Sequence, residues 1–284
     1  MKCQTNEHDE SSVSSYLSRV ERLTARWNDK IRSNNVIPED DKLTIKFFFR
    51  GHGDKEWKLR PSLFRSIPGI DDISYAASID KYSYFGQEQY VMQEAMRLCP
   101  NVFASAETDI QCMTICQHYA LPTRLLDVSG NALVALYFAV SSEKDKDGVV
   151  YVFRASSEDY KIASTAGRLN KASVSRYHEK GEGPISVNKR PLLVFPPHET
   201  MRQKAQDGSF YLFENDVKPF HLNEFSTECF QEIAIRSDAK SRLMKELETT
   251  CNIHKGTLFP EFLDSYVSKL KEEAELRIKT EVGI

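Results

Sequence analysis

The stretch QHYALPTRLLD at residues 117–127 decides the fold, because it joins two segments with different hydrophobic patterns. The segment before it, from Glu107 to about Tyr119, carries an apolar helical pattern. Leu121 and Pro122 end this helix, since proline has no backbone N–H with which to continue it. Residues 124–129 then have an extended pattern. The stretch therefore predicts a helix, a turn rich in polar residues and a strand.

Further elements are predicted on either side of this stretch. The almost wholly apolar run at 131–141 predicts a helix buried on most faces, and a second helix is predicted at 86–98. An N-terminal helix begins after Ser11 or Ser12, with apolar residues at helical spacing: Val13, Tyr16, Leu17, Val20, Leu23 and Trp27. Two more helices are predicted around residues 258–260. Runs rich in β-formers predict strands at 43–49, 148–153, 191–195, 208–213 and 229–235.

Two connections bear on function. We expect the strand at 43–49 to end at the dipeptide Arg50-Gly51, so that Arg50 lies at the carboxyl end of the strand. Residues 155–190 are polar and show little periodicity, which predicts a long loop, and such loops often cover a site.

The composition is that of a globular protein without a dominant charge. The 284 residues are 40% hydrophobic, and 38 basic against 41 acidic side chains give a net charge of −3. This balance excludes a global basic field that would draw the chain to nucleic acid or anionic lipid. No window is apolar enough for a membrane span and residues 1–6 lack the apolar core of a signal peptide, so we expect a cytoplasmic protein.

The six cysteines are interpreted as reduced thiols, since a chain of this length has no need of a disulfide framework. Cys112 and Cys116 lie close to His118, which suggests zinc as one interpretation. A distant pair of further ligands is missing, however, and the two cysteines fall inside an apolar helical pattern. This placement favours buried structural cysteines.

The turn within residues 117–127 is the main candidate for chemistry, because the standard phosphate-loop, dinucleotide, zinc-protease, serine-hydrolase and calcium-loop motifs are absent. Arg124 and Asp127 are close enough in sequence to share a polar network, which His118 would join through a hydrogen bond. Such a network either fixes the turn or faces a cavity. The sequence leaves both interpretations open.

Several separated motifs together resemble the FRG-domain family. In chain order they are FRG at 49–51, W-x-L-x-P-S-L-x-R at 57–65, the stretch at 117–127, ALVALYFA at 132–139, QDGSF at 206–210 and LFP at 258–260. The resemblance covers about residues 45 to 270. The sequence departs from the family pattern at His52, often a glutamine, at Ala120, usually a glycine, and at Val128, usually an aromatic residue.

FRG domains are similar in motif order to ADP-ribosyltransferases, so the resemblance implies a related α+β fold with a split sheet, mixed or antiparallel, and flanking helices. We expect this domain over residues 41–284, after a helical extension over residues 1–40. The implied substrate is NAD, without a metal, and the implied catalytic residues are Arg50, Ser129 and Gln206. Arg50 would hold the diphosphate or ribose, Ser129 takes the place of a transferase serine or threonine, and Gln206 would orient a ribose hydroxyl or the acceptor.

The resemblance also implies a set of NAD-contacting residues: Arg50, Gly51, His52, His118, Arg124 and Tyr137. Gly51 would let the nicotinamide amide approach the backbone, and Tyr137 would supply a ring beside it.

Structural roles are the alternatives for these side chains. Arg50 would then pair with a carboxylate such as Asp127, and Ser129 would cap the following helix. Gln206 would satisfy backbone groups at a sheet edge, and Tyr137 would belong to the core. His118 would be a hydrogen-bonded structural histidine.

The implied reaction is loss of nicotinamide through an oxocarbenium-like sugar and transfer of ADP-ribose to a macromolecule, with nucleic acid, such as RNA, favoured over protein. Such a reaction suits a toxin or phage-defence effector. We expect an antitoxin or regulatory protein as a partner and no binding to a membrane. The alternative is a non-catalytic module that binds a nucleotide or nucleic acid. Its phosphates would be held by nearby basic residues: Lys180, Lys189, Arg190, Arg202 and Lys204.

Overall fold

The fold comes from a computed structural model, which describes residues 11–33, 46–65, 88–155, 192–195, 200–213 and 230–260. The strands are β1 Lys46–His52, β2 Leu125–Ser129, β3 Gly148–Ala155, β4 Leu192–Val194, β5 Gly208–Leu212 and β6 Phe230–Ile235. The helices are α1 Val13–Ser33, α2 Glu88–Leu98, α3 Asp109–His118, α4 Ala132–Val140, α5 Met201–Ala205, α6 Ser237–Thr250 and α7 Lys255–Leu258. A 3-10 turn spans Ser62–Phe64. The predicted loop at 155–190 lies outside the described residues except for Ala155, which ends β3.

The six strands form one sheet in the order β4-β5-β2-β1-β3-β6, and all of the described strand pairs are antiparallel. The helices flank this sheet, so the predicted α+β class is confirmed. The predicted strands and the predicted central helices are found within a few residues of their expected bounds.

The sheet opens between its two central strands. β1 pairs with β3 along its whole length, from Lys46↔Ala155 to His52↔Val149, whereas it pairs with β2 at the single position Phe49↔Ser129. Beyond that position β1 and β2 no longer form a ladder. Side chains and backbone at this opening are therefore available for contacts other than strand pairing.

The prediction that the first strand ends at Arg50 is wrong. The backbone pairs Arg50↔Tyr151 and Gly51↔Val150 extend the β1–β3 ladder to His52. Arg50 therefore lies inside β1, beside the opening, and not at the carboxyl end of the strand. The reason is tertiary, since β3 continues to offer backbone partners past the point where β2 stops.

Gly51 is required by the packing of α4 on the sheet. A Cβ atom at this position would overlap the carbonyl oxygen of Ala135 and lie 2.7 Å from the backbone nitrogen of Ala139. The missing side chain lets α4 approach β1 at backbone distance. This contact sets the position of α4, which follows the end of β2 after a short turn.

The buried hydrophobic residues form two separate clusters on the face of the sheet that carries the helices. One lies under α1, α4 and α6 and includes Phe49 and Val150. The other lies under α2 and α3 and includes Leu125 and Phe210. A third cluster, which includes Phe48, continues across β1, β2 and β3 on the opposite face. The helical layer is thus divided above the opening in the sheet.

Helix α1 has the predicted buried stripe, with Val13, Tyr16, Val20, Leu23 and Trp27 in the first of these clusters. Leu17 is the exception: it is 40% exposed, because it lies one position off this line at the edge of the buried face. The Tyr16 hydroxyl donates a hydrogen bond of 2.9 Å to the carbonyl of Ala132 at the start of α4. Helix α1 therefore shares a core with the sheet, and the boundary at residue 40 stays a prediction.

Cys112 and Cys116 are buried in the core under α3, as predicted. The four cysteines that the structure describes are free thiols, and Cys3 and Cys229 lie outside the described residues. Within the described ranges, no three potential ligand side chains lie together in a way that would hold a metal ion. None of the described helices combines the length and the apolar character needed to cross a membrane.

Candidate active-site cavity

A cavity of about 190 Å³ lies at the opening between β1 and β2. The two strands, helices α3, α4 and α5, and the start of β5 supply its walls. The lining residues that carry polar side chains are Arg50, Thr114, Gln117, His118, Asp127, Ser129, Arg202, Gln203, Gln206 and Ser209. The apolar part of the wall includes Phe49, Val134 and Phe138. The cavity therefore joins a polar wall to an aromatic one.

Five of the predicted site residues meet at this cavity: Arg50, Gly51, His118, Ser129 and Gln206. They come from β1, from the end of α3, from the end of β2 and from the turn before β5. All three residues that were predicted to be catalytic are among them. The other three predicted NAD contacts, His52, Arg124 and Tyr137, do not line the cavity.

Arg50 is held on two sides. Its Nε donates to Nε2 of His52 at 3.0 Å, and its Nη1 donates to the backbone carbonyl of Asp127 at 2.7 Å. The same Nη1 lies 3.5 Å from Oδ2 of Asp127, and the Arg50 side chain is 15% exposed. Since Arg50 leaves β1 on the same face as His52, its guanidinium bridges the opening to reach β2. The proposed pairing of Arg50 with Asp127 is therefore observed.

His52 lies beneath Arg50 and not in the cavity wall. Its ring packs edge-on against Tyr151, with centroids 5.0 Å apart, and its side chain is buried. Burial, with smaller contributions from the charges of Arg50 and Arg65, lowers the pKa of His52 to about 3. The imidazole is therefore neutral at physiological pH, as an acceptor for the Nε–H of Arg50 must be.

His52 is expected to make the protein less stable in acid. Its pKa is about 3 in the folded protein against 6.5 normally, so between these values the unfolded chain binds a proton that the folded chain does not. Its contribution to stability is complete above pH 6.5 and is lost as the pH falls, by about 1.4 kcal/mol per unit. Urea unfolding at pH 4 to 7 measures this slope. His52→Gln does not titrate and should flatten it, whereas equal slopes would contradict the assignment.

A chain of hydrogen bonds connects the motif at 117–127 to Arg50. The Thr123 hydroxyl donates to Oε1 of Gln117, whose Nε2 donates to Oδ2 of Asp127 at 2.8 Å. Asp127 in turn accepts from Arg50. These contacts explain the spacing of the motif: Gln117 lies in the last turn of α3, Thr123 lies in the following turn, and Asp127 faces the opening from β2.

The predicted network of Arg124 with Asp127 is wrong. Arg124 forms a buried ion pair with Glu88 at the start of α2, with Nε donating to Oε1 at 2.7 Å and Nη2 to Oε2. Arg124 precedes β2 and its side chain reaches the helix that begins at Glu88, whereas Asp127 lies inside the strand. Arg124 fixes α2 to the start of β2, while Asp127 faces the cavity.

Ser129 and Gln206 are linked to each other through the backbone. The Ser129 hydroxyl donates to the carbonyl of Gln206 at 2.6 Å and accepts from the backbone nitrogen of Asn131 at 2.9 Å. The cap of α4 is Asn131, whose side chain accepts from Leu133 N, so Ser129 fastens the turn before the helix. The Gln206 side chain donates to the carbonyl of Leu258 at 3.1 Å. Both predicted catalytic residues thus also hold the cavity wall together.

Tyr137 is buried in the core, and the neighbouring Phe138 lines the cavity in its place. Successive residues of a helix differ by about 100° in direction, so Phe138 shares the cavity face with Val134 and Tyr137 does not. Residues four positions apart share one face of a helix, which is why Phe138 and not Tyr137 accompanies Val134 in the cavity wall. Without the position of the sheet, sequence reasoning had no means to choose between the two rings.

Two cavity residues come from the short helix α5: Arg202, which the sequence suggested only as a nearby phosphate-holding residue, and Gln203, which was not assigned to the site. The Arg202 guanidinium lies 4.8 Å from the ring centroid of Phe259, which orients it. Thr200 and Gln203 form a reciprocal capping box at the start of α5. The pattern Thr-x-x-Gln was the available signal, since it predicts a helix start and so the side of α5 that carries these residues.

Ala120, where the family usually has glycine, has a φ of 59°. This left-handed conformation is unfavourable for a residue with a Cβ atom, by about 1–2 kcal/mol. It belongs to the turn that ends α3 and is closed by a hydrogen bond from Leu121 N to Cys116 O of 2.9 Å. The departure from the family pattern therefore leaves the turn in place.

Residues 45–148 match a family model described as the FRG domain. No curated protein and no solved structure matches the chain at a significant level. The matched segment holds β1, helices α2 to α4 and β2, with most of the polar wall of the cavity, whereas Arg202, Gln203 and Gln206 lie beyond it. The match supports the resemblance to the FRG family over this segment, which forms both edges of the opening.

Proposed function

We propose that the protein is an NAD-dependent ADP-ribosyltransferase that modifies a macromolecule. The observation that supports this most strongly is the meeting of Arg50, Ser129 and Gln206, from segments far apart in the sequence, at one cavity where the sheet splits. The proposal also rests on the resemblance of the motif order to that of ADP-ribosyltransferases.

The cavity suits one part of a dinucleotide. Its volume of about 190 Å³ is below the roughly 300 Å³ at which pockets for drug-sized ligands begin, so the rest of NAD would lie along its mouth. Arg50 and Arg202 enter from β1 and α5, and two guanidinium groups on different walls suit a diphosphate. Phe138 offers an aromatic face for a planar ring such as nicotinamide.

The proposed reaction breaks the bond between the ribose C1′ and the nicotinamide nitrogen, which keeps the electron pair. A nucleophile on the acceptor forms the new bond at C1′ and loses its proton to solvent water. A glutamine cannot take up that proton, so Gln206 would hydrogen-bond the ribose or the acceptor as positive charge develops on the sugar. Asp127 is the one carboxylate among the described lining residues, and its side chain is 53% exposed.

The acceptor is proposed to be a macromolecule that reacts at the cavity mouth, with nucleic acid favoured over protein. A toxin or phage-defence effector, controlled by an antitoxin or another regulatory protein, is the setting that the resemblance suggests. Of the basic residues expected to hold phosphates, Lys204 is exposed beside the cavity wall and Arg202 lines the cavity. Lys180, Lys189 and Arg190 lie outside the described residues.

A non-catalytic nucleotide-binding module is the second candidate. It is favoured by the hydrogen bonds that Ser129 and Gln206 already make to the backbone, which are typical of polar groups that hold a fixed pocket. Such a module would bind the ADP-ribose part of NAD and release no nicotinamide. The two candidates therefore differ in a product that can be measured.

Arg50→Ala is expected to reduce nicotinamide release from NAD by at least about 100-fold, because it removes one of the two guanidinium groups that line the cavity. Wild-type protein, Arg50→Ala and Arg50→Lys are incubated with labelled NAD and cell extract. Released nicotinamide and labelled RNA, DNA and protein are then measured. Arg50→Lys tests whether charge alone suffices or the planar guanidinium is needed.

Arg97→Ala is the matched control, because Arg97 is 65% exposed on α2 and pairs with Glu94 outside the cavity. It should keep wild-type release. Equal release by wild type and Arg50→Ala would contradict the assigned site. ADP-ribose binding without any nicotinamide release would favour the binding module over the enzyme.

A further inference from the structure

The contact between Arg50 and His52 joins two side chains of which only one reaches the cavity. Arg50 lines the cavity, whereas His52 lies behind it and is 4% exposed. Nε2 of His52 is 3.0 Å from Nε of Arg50. His52 thus touches the proposed ligand-binding group without being able to touch the ligand.

The surroundings of His52 keep it in the form that accepts this hydrogen bond. Arg50 faces it from β1, the ring of Tyr151 from β3 at 5.0 Å, and the ring of Trp57 from the following segment at 6.1 Å. Burial and, to a smaller extent, the positive charges of Arg50 and Arg65 lower the pKa of the imidazole. An imidazolium would present an N–H toward Arg50 and could not accept.

The hydrogen bonds of Arg50 leave one end of its guanidinium for a ligand. Nε is used by His52, and Nη1 is used by the carbonyl and carboxylate of Asp127. In the part of the chain that the structure describes, Nη2 has no partner. The two N–H groups on Nη2 of Arg50 are therefore left to donate to a ligand, and such a pair of donors suits an anionic oxygen.

We propose that His52 is a positioning residue, which holds the Arg50 guanidinium so that Nη2 is presented to a phosphate-bearing ligand. The ligand part of this proposal rests on the proposed function. His52 and the Asp127 carbonyl together fix the plane of the Arg50 guanidinium before a ligand binds. Without them, this side chain would have to be ordered on binding, which would cost binding free energy. This role requires a neutral hydrogen-bond acceptor at residue 52, and the acceptor does not have to be an imidazole.

His52→Leu and His52→Gln separate positioning from packing. Leucine fills part of the space and removes the acceptor, and glutamine keeps an uncharged acceptor oxygen. The affinity for ADP-ribose, measured by calorimetry, is expected to fall about 10-fold or more in His52→Leu and to stay within about threefold of wild type in His52→Gln. Thermal unfolding of both variants shows whether each is folded.

The double variant His52→Leu/Arg50→Ala tests whether His52 acts through Arg50. If it does, His52→Leu has no further effect on affinity once Arg50 is absent, so the two changes are non-additive. Additive losses, or equal losses in His52→Leu and His52→Gln, would overturn the positioning role.

Nuclear magnetic resonance gives a test that needs no ligand. The Arg50 Nε–H signal, identified by its loss in Arg50→Ala, should be protected from exchange in wild type and His52→Gln and unprotected in His52→Leu. The His52 ring should carry its proton on Nδ1. An unprotected signal in wild type would overturn the proposal. If this signal is protected but wild type binds no ADP-ribose, the positioning of Arg50 stands while the ligand part and the proposed function both fail.

Discussion

Glu88→Gln is expected to lower the free energy of unfolding by about 3–5 kcal/mol, because it removes the buried carboxylate that pairs with Arg124 in the protein interior. The side chains of Arg124 and Glu88 are only 3% and 1% exposed. Glutamine has nearly the same size as glutamate, so the loss reports the charge and not a cavity. Urea denaturation measures the effect, with an unchanged m-value showing that the same surface is exposed on unfolding.

Two further variants test whether the loss of stability comes from the burial of this ion pair. Glu94→Gln, on the same helix, breaks a pair whose arginine is 65% exposed, and it should change stability by less than about 1 kcal/mol. Glu88→Leu/Arg124→Met removes both charges and should be more stable than Glu88→Gln alone. If Glu88→Gln and Glu94→Gln had equal effects, the buried pair would not be what fixes α2 to β2.

Gly51→Ala is expected to destabilise the protein by about 3 kcal/mol and to weaken ligand binding as well. The added methyl group would overlap the Ala135 carbonyl, so α4 would have to move away from β1. Because Val134 and Phe138 on α4 line the cavity, this movement would displace the aromatic wall. Chemical denaturation and ADP-ribose binding measure the two effects.

Gly208→Ala is the matched control for stability. A Cβ atom at Gly208 would meet its nearest neighbour, the carbonyl oxygen of Gln203, at 3.6 Å, which is an ordinary contact. Its effect should stay below about 1 kcal/mol. If Gly51→Ala were as stable as wild type, α4 would be able to adjust and the close approach would not define the wall.

Local patterns in the sequence were sufficient to predict most of the fold. The β-former runs predicted five strands to within a few residues of their observed bounds, although β1 continues past Arg50 to His52, and the apolar run at 131–141 predicted α4. These predictions succeeded because periodicity reports which residues face a core. They could not give strand order or reveal that β1 and β2 separate, since pairing is decided by residues distant in the sequence.

The residues that line the cavity were predicted in part, and their roles stay predictions. The motif resemblance brought Arg50, Ser129 and Gln206 to one site, and the structure places them at one cavity. The pairing of Arg124 with Glu88 could not be predicted, because 36 residues separate the partners and a glutamate in a helix start is most often exposed.

The single register pair between β1 and β2 divides the sheet into two groups of three strands, β4-β5-β2 and β1-β3-β6. A bound ligand would contact Arg50 from one group and Ser129 and Gln206 from the other. The ligand would then connect the two groups of strands at the place where β1 and β2 are not paired. Because a ligand stabilises only the state that binds it, we expect ligand to slow amide hydrogen exchange along both strands at once. Slower exchange on both strands would mean that a bound ligand holds the two groups of strands together.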